Sequence, residues 1–594
     1  MYKFLCIVLS LLLSACGGGG GDDGQVKVDV IEKPEVVEPE VVEPELDSDE
    51  DGVPDSQDVD IDNDQLIEIS SLEQLDWVRH DLKGTSRHDG SVGDSLGCPV
   101  EGCRGYELIN DLDFDTDGDG SVEDEAFFDY DGDGSDNGWL PIGSSDLAFD
   151  AEFNGNNHTI FNLYIDRSSF DAETGGRNIG LFGAISYSGW NDAIGIKNLR
   201  LRGGSVIGHY LVGSLVGYAA GFQQITSGVD VHLSNIETNV DVSAFQNVGG
   251  LAGNSDFSYV SNVRTSGVIS GVSFVGGLFG DLETSTVLNS EATGEVSGSF
   301  TVGGLIGNGK IINVESSTAS GNVSAVSRDV GGLIGILSTR SEVVASSATG
   351  AVSGTNNVGG LIGRIETGSE VVTSGATGAV RGSNAVGGLI GRANKNVSNN
   401  SYPAFDQVKL SGNYAVGRVV ATGNYVGGLV GISYNTEMVA NFTTSPTTGK
   451  QYVGGFIGDA NKESVIKGSY SAGTVSGNDD VGGFVGWNDG GVYEYNLYVK
   501  DKNIPAGYLD IGNDPSNQGP HYASNIDGYT LEQMQCPKSE ADADCTVFLY
   551  INWSSYTDEN NDPFWDFGSD TQLPGLYQNG EIARDGDADG QLDN

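Results

Sequence analysis

The chain has 594 residues, more than one ordinary core serves, and 90 of them are glycine without a collagen period. Its formal net charge of −55 excludes a nucleic-acid binder that works by neutralising phosphates, and excludes adsorption onto an anionic lipid surface. Most of the acid lies in residues 22–152 and again after Asp558, around a sparsely charged centre, so the two ends are the places to look for bound cations.

Lys3 supplies a short positive start, residues 4–13 form an almost unbroken apolar run, and Leu13-Ser14-Ala15-Cys16 closes it. The run is too short for a stable spanning helix and reads as a cleaved export signal over residues 1–15. The Leu-Ser-Ala-Cys ending resembles the bacterial lipobox. That resemblance implies cleavage before Cys16 and lipid on its thiol and new amine; Gly17 after the cysteine implies the outer membrane. Several acyl chains anchor firmly, since each buried methylene adds about 0.8 kcal/mol. Residues 16–46 then read as a stalk: glycines, followed by a repeat of Glu, Val and Pro as in Val36-Val37-Glu38-Pro39-Glu40, held extended by proline and like charge. No later stretch is apolar enough to cross a membrane, so the expectation is a lipid-tethered protein on the bacterial outer membrane, facing the cell exterior.

Residues 47–65 read as an acidic calcium-type loop. Asp47, Asp49 and Asp51 alternate before Gly52, with Asp55 beyond. Alternate carboxylates converge when the backbone turns tightly, and hard oxygen ligands in that arrangement suit calcium. The pattern recurs as Asp115, Asp117 and Asp119 with Glu123, as Asp129, Asp131 and Asp133, and as Asp585, Asp587 and Asp589 with Asp593. The first loop resembles the thrombospondin type-3 pattern. The twelfth position of an EF-hand should be glutamate, but it is Asp58 in the first loop and Ala126 in the loop from Asp115.

Residues 66–178 read as an N-terminal cap and lead-in coils carrying the acidic insertions. Leu66-Ile67-Glu68-Ile69 predicts a short strand. Ser70 and Glu73 have capping-box spacing, and Leu72, Leu75, Val78 and Leu82 recur at helical intervals, a helix suited to covering an open strand edge. Four cysteines remain once Cys6 leaves with the signal and Cys16 is lipidated, and four allow three pairings. Short separation favours Cys98 with Cys103 and Cys536 with Cys545 as loop staples in an oxidising compartment. No histidine stands at zinc-ligand spacing beside them.

Residues 179–486 are a repeat. Val-Gly-Gly-Leu-x-Gly, or its phenylalanine variant, occurs nine times, with first glycines Gly249, Gly276, Gly303, Gly331, Gly359, Gly387, Gly427, Gly454 and Gly482. The steps are 27 or 28 residues apart from one of 40. Ala292-Thr293-Gly294 and Val296-Ser297-Gly298 exemplify two further segments per unit, so each unit reads as three short strands separated by turns. Such a coil cannot bury its own inner face; stacking gives each strand neighbours at about 4.8 Å and lines valine and leucine into internal ladders. Glycine is costly inside helices, which excludes a helical solenoid. The glycines are expected to supply corner conformations closed to other residues. The predicted fold is all-β: a right-handed parallel β-helix (solenoid) of about ten or more coils, with a short N-terminal capping helix and an aromatic C-terminal cap.

These Gly-Leu-x-Gly units resemble the GLUG repeat of bacterial surface proteins, as do Gly138-Trp139-Leu140-Pro141-Ile142-Gly143 and Phe564-Trp565-Asp566-Phe567-Gly568 at the flanks. The resemblance implies an adhesin-like surface protein. The repeat also occurs in immunoglobulin-A metallopeptidases, whose His-Glu-x-x-His zinc motif this sequence lacks.

The 40-residue step carries an insertion with Asn399, Tyr402 and Phe405, either a partner-binding loop or a tolerated insertion. Residues 487–577 are rich in aromatics and are expected to plug the open end of the stack. Residues 578–594 are an acidic tail. No catalytic motif is evident. The reading is therefore a non-enzymatic adhesion or binding scaffold, stabilised by calcium, that meets an extracellular polysaccharide or protein and no nucleic acid. A polysaccharide lyase or hydrolase on a β-helix, or a purely structural surface component, is the alternative.

Overall fold

The structure is a computed structural model. It describes residues 46–594, apart from 88–94, 131, 133, 135, 171–174, 188–193, 223–229, 395–406, 462, 502–508, 514–524, 536–548, 569–570 and 594. Residues 1–46 and 47–594 are separate units. Cys16 and the stalk up to residue 45 lie outside the described residues, as do Cys536, Cys545 and the insertion residues Asn399, Tyr402 and Phe405. Among the described residues no helix is long and apolar enough to cross a membrane.

The second unit is a parallel β-solenoid. One ladder runs almost its whole length, starting at β1 (Ile67–Ile69) and β2 (Gly105–Leu108). Ile67 pairs with Tyr106, Tyr106 with Phe153, Phe153 with Ile196, Ile196 with Leu233, and Leu233 with Val260. It continues through Val287, Val314, Val343, Val371, Leu410, Met438, Ile466 and Tyr493. A second ladder carries the repeat valines, with Val302 opposite Val330 and Val330 opposite Val358. Each of these side chains is buried. Full burial of one such side chain contributes roughly 1.5–3 kcal/mol, and no coil obtains it without a neighbour.

The corners correct one expectation. The repeat glycines do not have positive φ; the residue before each repeat valine does, as at Asn247, Phe274, Thr301, Asp329 and Tyr425. The glycines answer a packing demand instead. A Cβ on Gly304 would lie 2.0 Å from the Gly332 carbonyl oxygen of the next coil, and one on Gly332 would lie 2.0 Å from that of Gly360.

A polar spine supplements the apolar ladders. The backbone N–H of Ser290 donates to Ser317 Oγ, Ser317 to Ser346, Ser346 to Ser374, and Ser374 to Asn413 Oδ1, at 2.9–3.1 Å. Asn413, Asn441 and Ser469 extend it to Asn496. These donors sit at a corner without a ladder partner, and the side chain of the next coil satisfies each one. The insertion leaves the stack intact: Val371 pairs with Leu410, and Val386 with Val426, on either side of it.

At the N-terminal end α1 (Leu72–Trp77) buries Leu72 and Leu75, and Val78 follows in a 3-10 turn. Its cap is Ser71 rather than Ser70. Ser71 Oγ accepts from Gln74 N, while Gln74 Oε1 accepts from Ser70 N at 2.6 Å. Cys98 and Cys103 form the expected disulfide, with Cα atoms 5.0 Å apart.

The C-terminal segment divides: among the described residues, those up to Tyr529 add strands to the end of the stack, and those from Tyr550 onward take another course. The latter lie against the flank of the later coils, where Tyr414, Phe442, Tyr470 and Leu497 occupy equivalent positions in successive coils. These pack with Trp553, Phe564, Trp565 and Leu576 in a second core. Further along the flank, Asn579 Nδ2 donates to the Ala345 carbonyl at 3.3 Å. Trp565–Asp566, Gly575–Gln578 and Glu581–Ala583 form a small antiparallel sheet, and Asp585 beyond it is fully buried.

Candidate metal centres

The acidic turns share one closure. The sixth residue donates its N–H to the first aspartate: Gly52 to Asp47, Gly120 to Asp115, Gly134 to Asp129 and Gly590 to Asp585, at 2.7–3.2 Å. Each of these glycines has positive φ, between 81° and 96°. Here glycine does serve a conformation that other residues adopt at a cost.

Closure gathers one carboxylate oxygen from each of Asp47, Asp49 and Asp51 within 4.8 Å of one another, and does the same for Asp115, Asp117 and Asp119 and for Asp585, Asp587 and Asp589. Asp55, Glu123 and Asp593 stand outside these sets. Asp55 accepts from Ser48 N and Oγ at 2.7 Å, and Asp593 accepts from Gly586 N at 2.9 Å. Glu125, rather than Glu123, ties the second turn by accepting from Thr116 Oγ1 at 2.6 Å. In the loop from Asp129, Asp131 and Asp133 lie outside the described residues. Asp47 Oδ1, Asp49 Oδ2 and Asp129 Oδ1 are shielded from solvent without a hydrogen-bond partner. Burial pushes the Asp585 carboxyl up to about 6.

A further acidic turn escaped the sequence reading. Asp60, Asp62 and Asp64 also bring one oxygen each within 4.8 Å of one another. Gln65, at φ 75°, takes the glycine's place, and its N–H donates to Asp60 at 3.1 Å. The alternating acids were visible in the sequence, but a search keyed to glycine at the sixth position passes over Gln65. Two buried glutamates, Glu68 and Glu107, stand beside this turn, and burial pushes their carboxyls up to about 8 and about 7.

No family model matches the chain. A stretch of 155 residues, 26% of this chain, is 33% identical to halomucin of Haloquadratum walsbyi and spans only 1% of that protein. Among solved structures, a proposed immunoglobulin A1 protease from Bacteroides ovatus is similar at 19% identity, over 60% of this chain and 77% of that one, with a TM-score of 0.29. A score that low carries no argument about this chain.

Proposed function

We propose that this protein is an adhesion or binding scaffold, displayed outside a bacterial cell through lipid on Cys16 and stabilised by calcium in its acidic turns. One observation carries the reading: a long stack of parallel coils, with carboxylate turns of a single geometry at its N-terminal end and in the C-terminal segment that lies along its flank. A stack of this kind holds a long outer surface rigid, because each coil is fixed by the coils on either side. Outward residues are joined between coils by ion pairs such as Arg264 with Glu291 and Lys409 with Glu370. The turns offer three hard oxygens each, with backbone carbonyls and water to complete the six to eight that calcium takes. Affinity at the weak end of the calcium range suits an extracellular module.

The test compares cells carrying the full chain, cells lacking it, and cells carrying Cys16→Ala. Attachment to immobilised polysaccharides and proteins is measured in calcium and in chelator. The scaffold reading expects attachment that needs the chain, falls in chelator, and is lost when Cys16→Ala releases the protein from the cell. Equal attachment with and without the chain would defeat it.

A further inference from the structure

Glu68 and Glu107 are directly opposite each other in the parallel pair β1–β2. Their neighbours Ile67, Ile69, Tyr106 and Leu108 face the core, so the two carboxylates leave from the opposite side of the sheet. That side is covered by the acidic segment. The Ile61 N–H donates to Glu68 Oε1 at 2.6 Å, and the Glu68 N–H donates to the Val59 carbonyl at 3.1 Å. Under this cover Glu68 is only 5% exposed and Glu107 only 4%. Like charges on directly opposite residues are unfavourable even in solvent, and shielding them from water adds to the cost.

Among the described residues, no ammonium or guanidinium forms an ion pair with either glutamate. Glu107 Oε2 accepts from the side-chain amides of Asn154 and Asn156, both at 3.4 Å. The Lys197 ammonium, the nearby cation, is held by Glu152. Glu68 Oε2 is shielded from solvent and has no hydrogen-bond partner. One oxygen from each of Asp62, Glu68 and Glu107 lies within 4.8 Å of the others. An orphaned oxygen on a buried carboxylate, set among two more carboxylates, is the environment of a missing cation rather than of a solvated acidic turn.

We propose that Asp62, Glu68 and Glu107 hold a divalent cation of the calcium class, which clamps the acidic segment onto the first two strands of the solenoid. Asp62 also belongs to the Asp60–Asp62–Asp64 turn, so it bridges this ion and one in that turn. The clamp rests on the calcium reading of the turns only through that shared residue. Its distinctive feature is that it joins strands of different coils, whereas each turn binds within one loop. It would thus couple the cation to closure of the solenoid's first edge, where, among the described residues, β1 pairs with β2 on one side alone.

The test uses the full chain, freed of metal by chelator and titrated with calcium chloride in a calorimeter. Thermal unfolding is followed with and without calcium. The double variant Glu68→Gln with Glu107→Gln keeps the shape and removes the charge. It is expected to bind one calcium fewer than the parent, to melt higher than the parent in chelator, and to melt lower than the parent in calcium. That crossing of sign is something a merely structural role would not produce. The single variant Glu68→Gln serves if the double variant does not fold. A separate variant with Asp115, Asp117 and Asp119 changed to Asn should lose a different ion and keep the clamp. If the glutamine variants bind as many ions as the parent and show the same calcium-induced shift, the clamp is overturned, whatever the turns do. If the parent gives no heat with calcium, the clamp and the turn reading fall together. If only the Asp115 set loses an ion, the turns stand and the clamp does not.

Discussion

At the scale of single residues, this fold separates two demands that glycine is usually asked to meet together. Gly304 is small because the next coil's backbone passes through the space of its Cβ. Gly304→Ala is therefore expected to cost about 3 kcal/mol or more, read as a fall in the urea midpoint, because backbone rather than a flexible side chain would have to move. At a corner the opposite holds. Ala345 has φ 50°, at the position where later coils have Gly412 and Gly468. Ala345→Gly should stabilise by roughly 1 kcal/mol by relieving the left-handed strain; a lower midpoint would show that these corners carry no strain. A third residue sets a pH dependence. Burial pushes the Asp459 carboxyl up to about 6, well above the usual carboxylate range, Asp489 adds to the rise, and Asp459 Oδ1 has no hydrogen-bond partner. The folded chain then binds this proton more tightly than the unfolded chain. Its stabilising effect is full below about pH 4 and is lost as pH rises to about 6. Asp459→Asn should melt higher than the parent at pH 7, by on the order of 1–2 kcal/mol given partial exposure. The advantage should disappear by pH 4, and an advantage constant from pH 4 to 7 would rule out this titration.

At the scale of elements, the repeat was legible because its period is enforced by contact. Val302, Val330 and Val358 recur at 28 residues since each must reach the same height in the next coil. The acidic turns were legible for the same reason, one fixed loop length around one ligand chemistry. Three features were not. Gln65 performs a glycine's part at positive φ, Glu68 and Glu107 meet only because two strands far apart in sequence pair in register, and the destination of the C-terminal segment is set by a ladder with no local signature. That last signal was present in a quieter form. The residue before the inward alanine or its equivalent is Glu291, Thr318, Ser347 and Gly375 in four successive coils, then Tyr414, Phe442 and Tyr470. The change from small or polar to aromatic marks where the flank becomes covered. Phe442→Ser restores the earlier residue type at the centre of that ladder, where Phe442 stacks between Tyr414 and Tyr470 at 5.6 and 5.2 Å. Limited proteolysis is expected to release the segment after residue 549 from this variant while the coils resist; equal resistance in parent and variant would mean the ladder does not hold the cover.

At the scale of the whole molecule, a stack whose coils touch only their neighbours should tolerate the loss of one coil, provided that coil has no second partner. Removing residues 277–303 joins Gly276 to Gly304 and regenerates Val-Gly-Gly-Leu. It also places Val263 N where Ser317 Oγ can take over from Ser290, whose hydroxyl accepts it in the intact chain. Residues 428–454 form a unit of equal length, and their removal restores the motif equally well, joining Gly427 to Gly455. That coil, however, carries Phe442 and lies under the C-terminal segment, which also touches the stack at Ala345, at Gly412 through Gln578, and at Tyr470 through the Pro574 carbonyl. A cover fastened at several heights fixes the number of coils beneath it, as the bare repeat does not. The first deletion should therefore fold with a β-rich circular dichroism spectrum and lose only a few degrees in Tm. The second should detach the cover, expose Trp553 and Trp565 to solvent, and shift their fluorescence to the red. If both deletions behave alike, the C-terminal segment is not a measure of coil number, and the flank it covers is held by the coils alone.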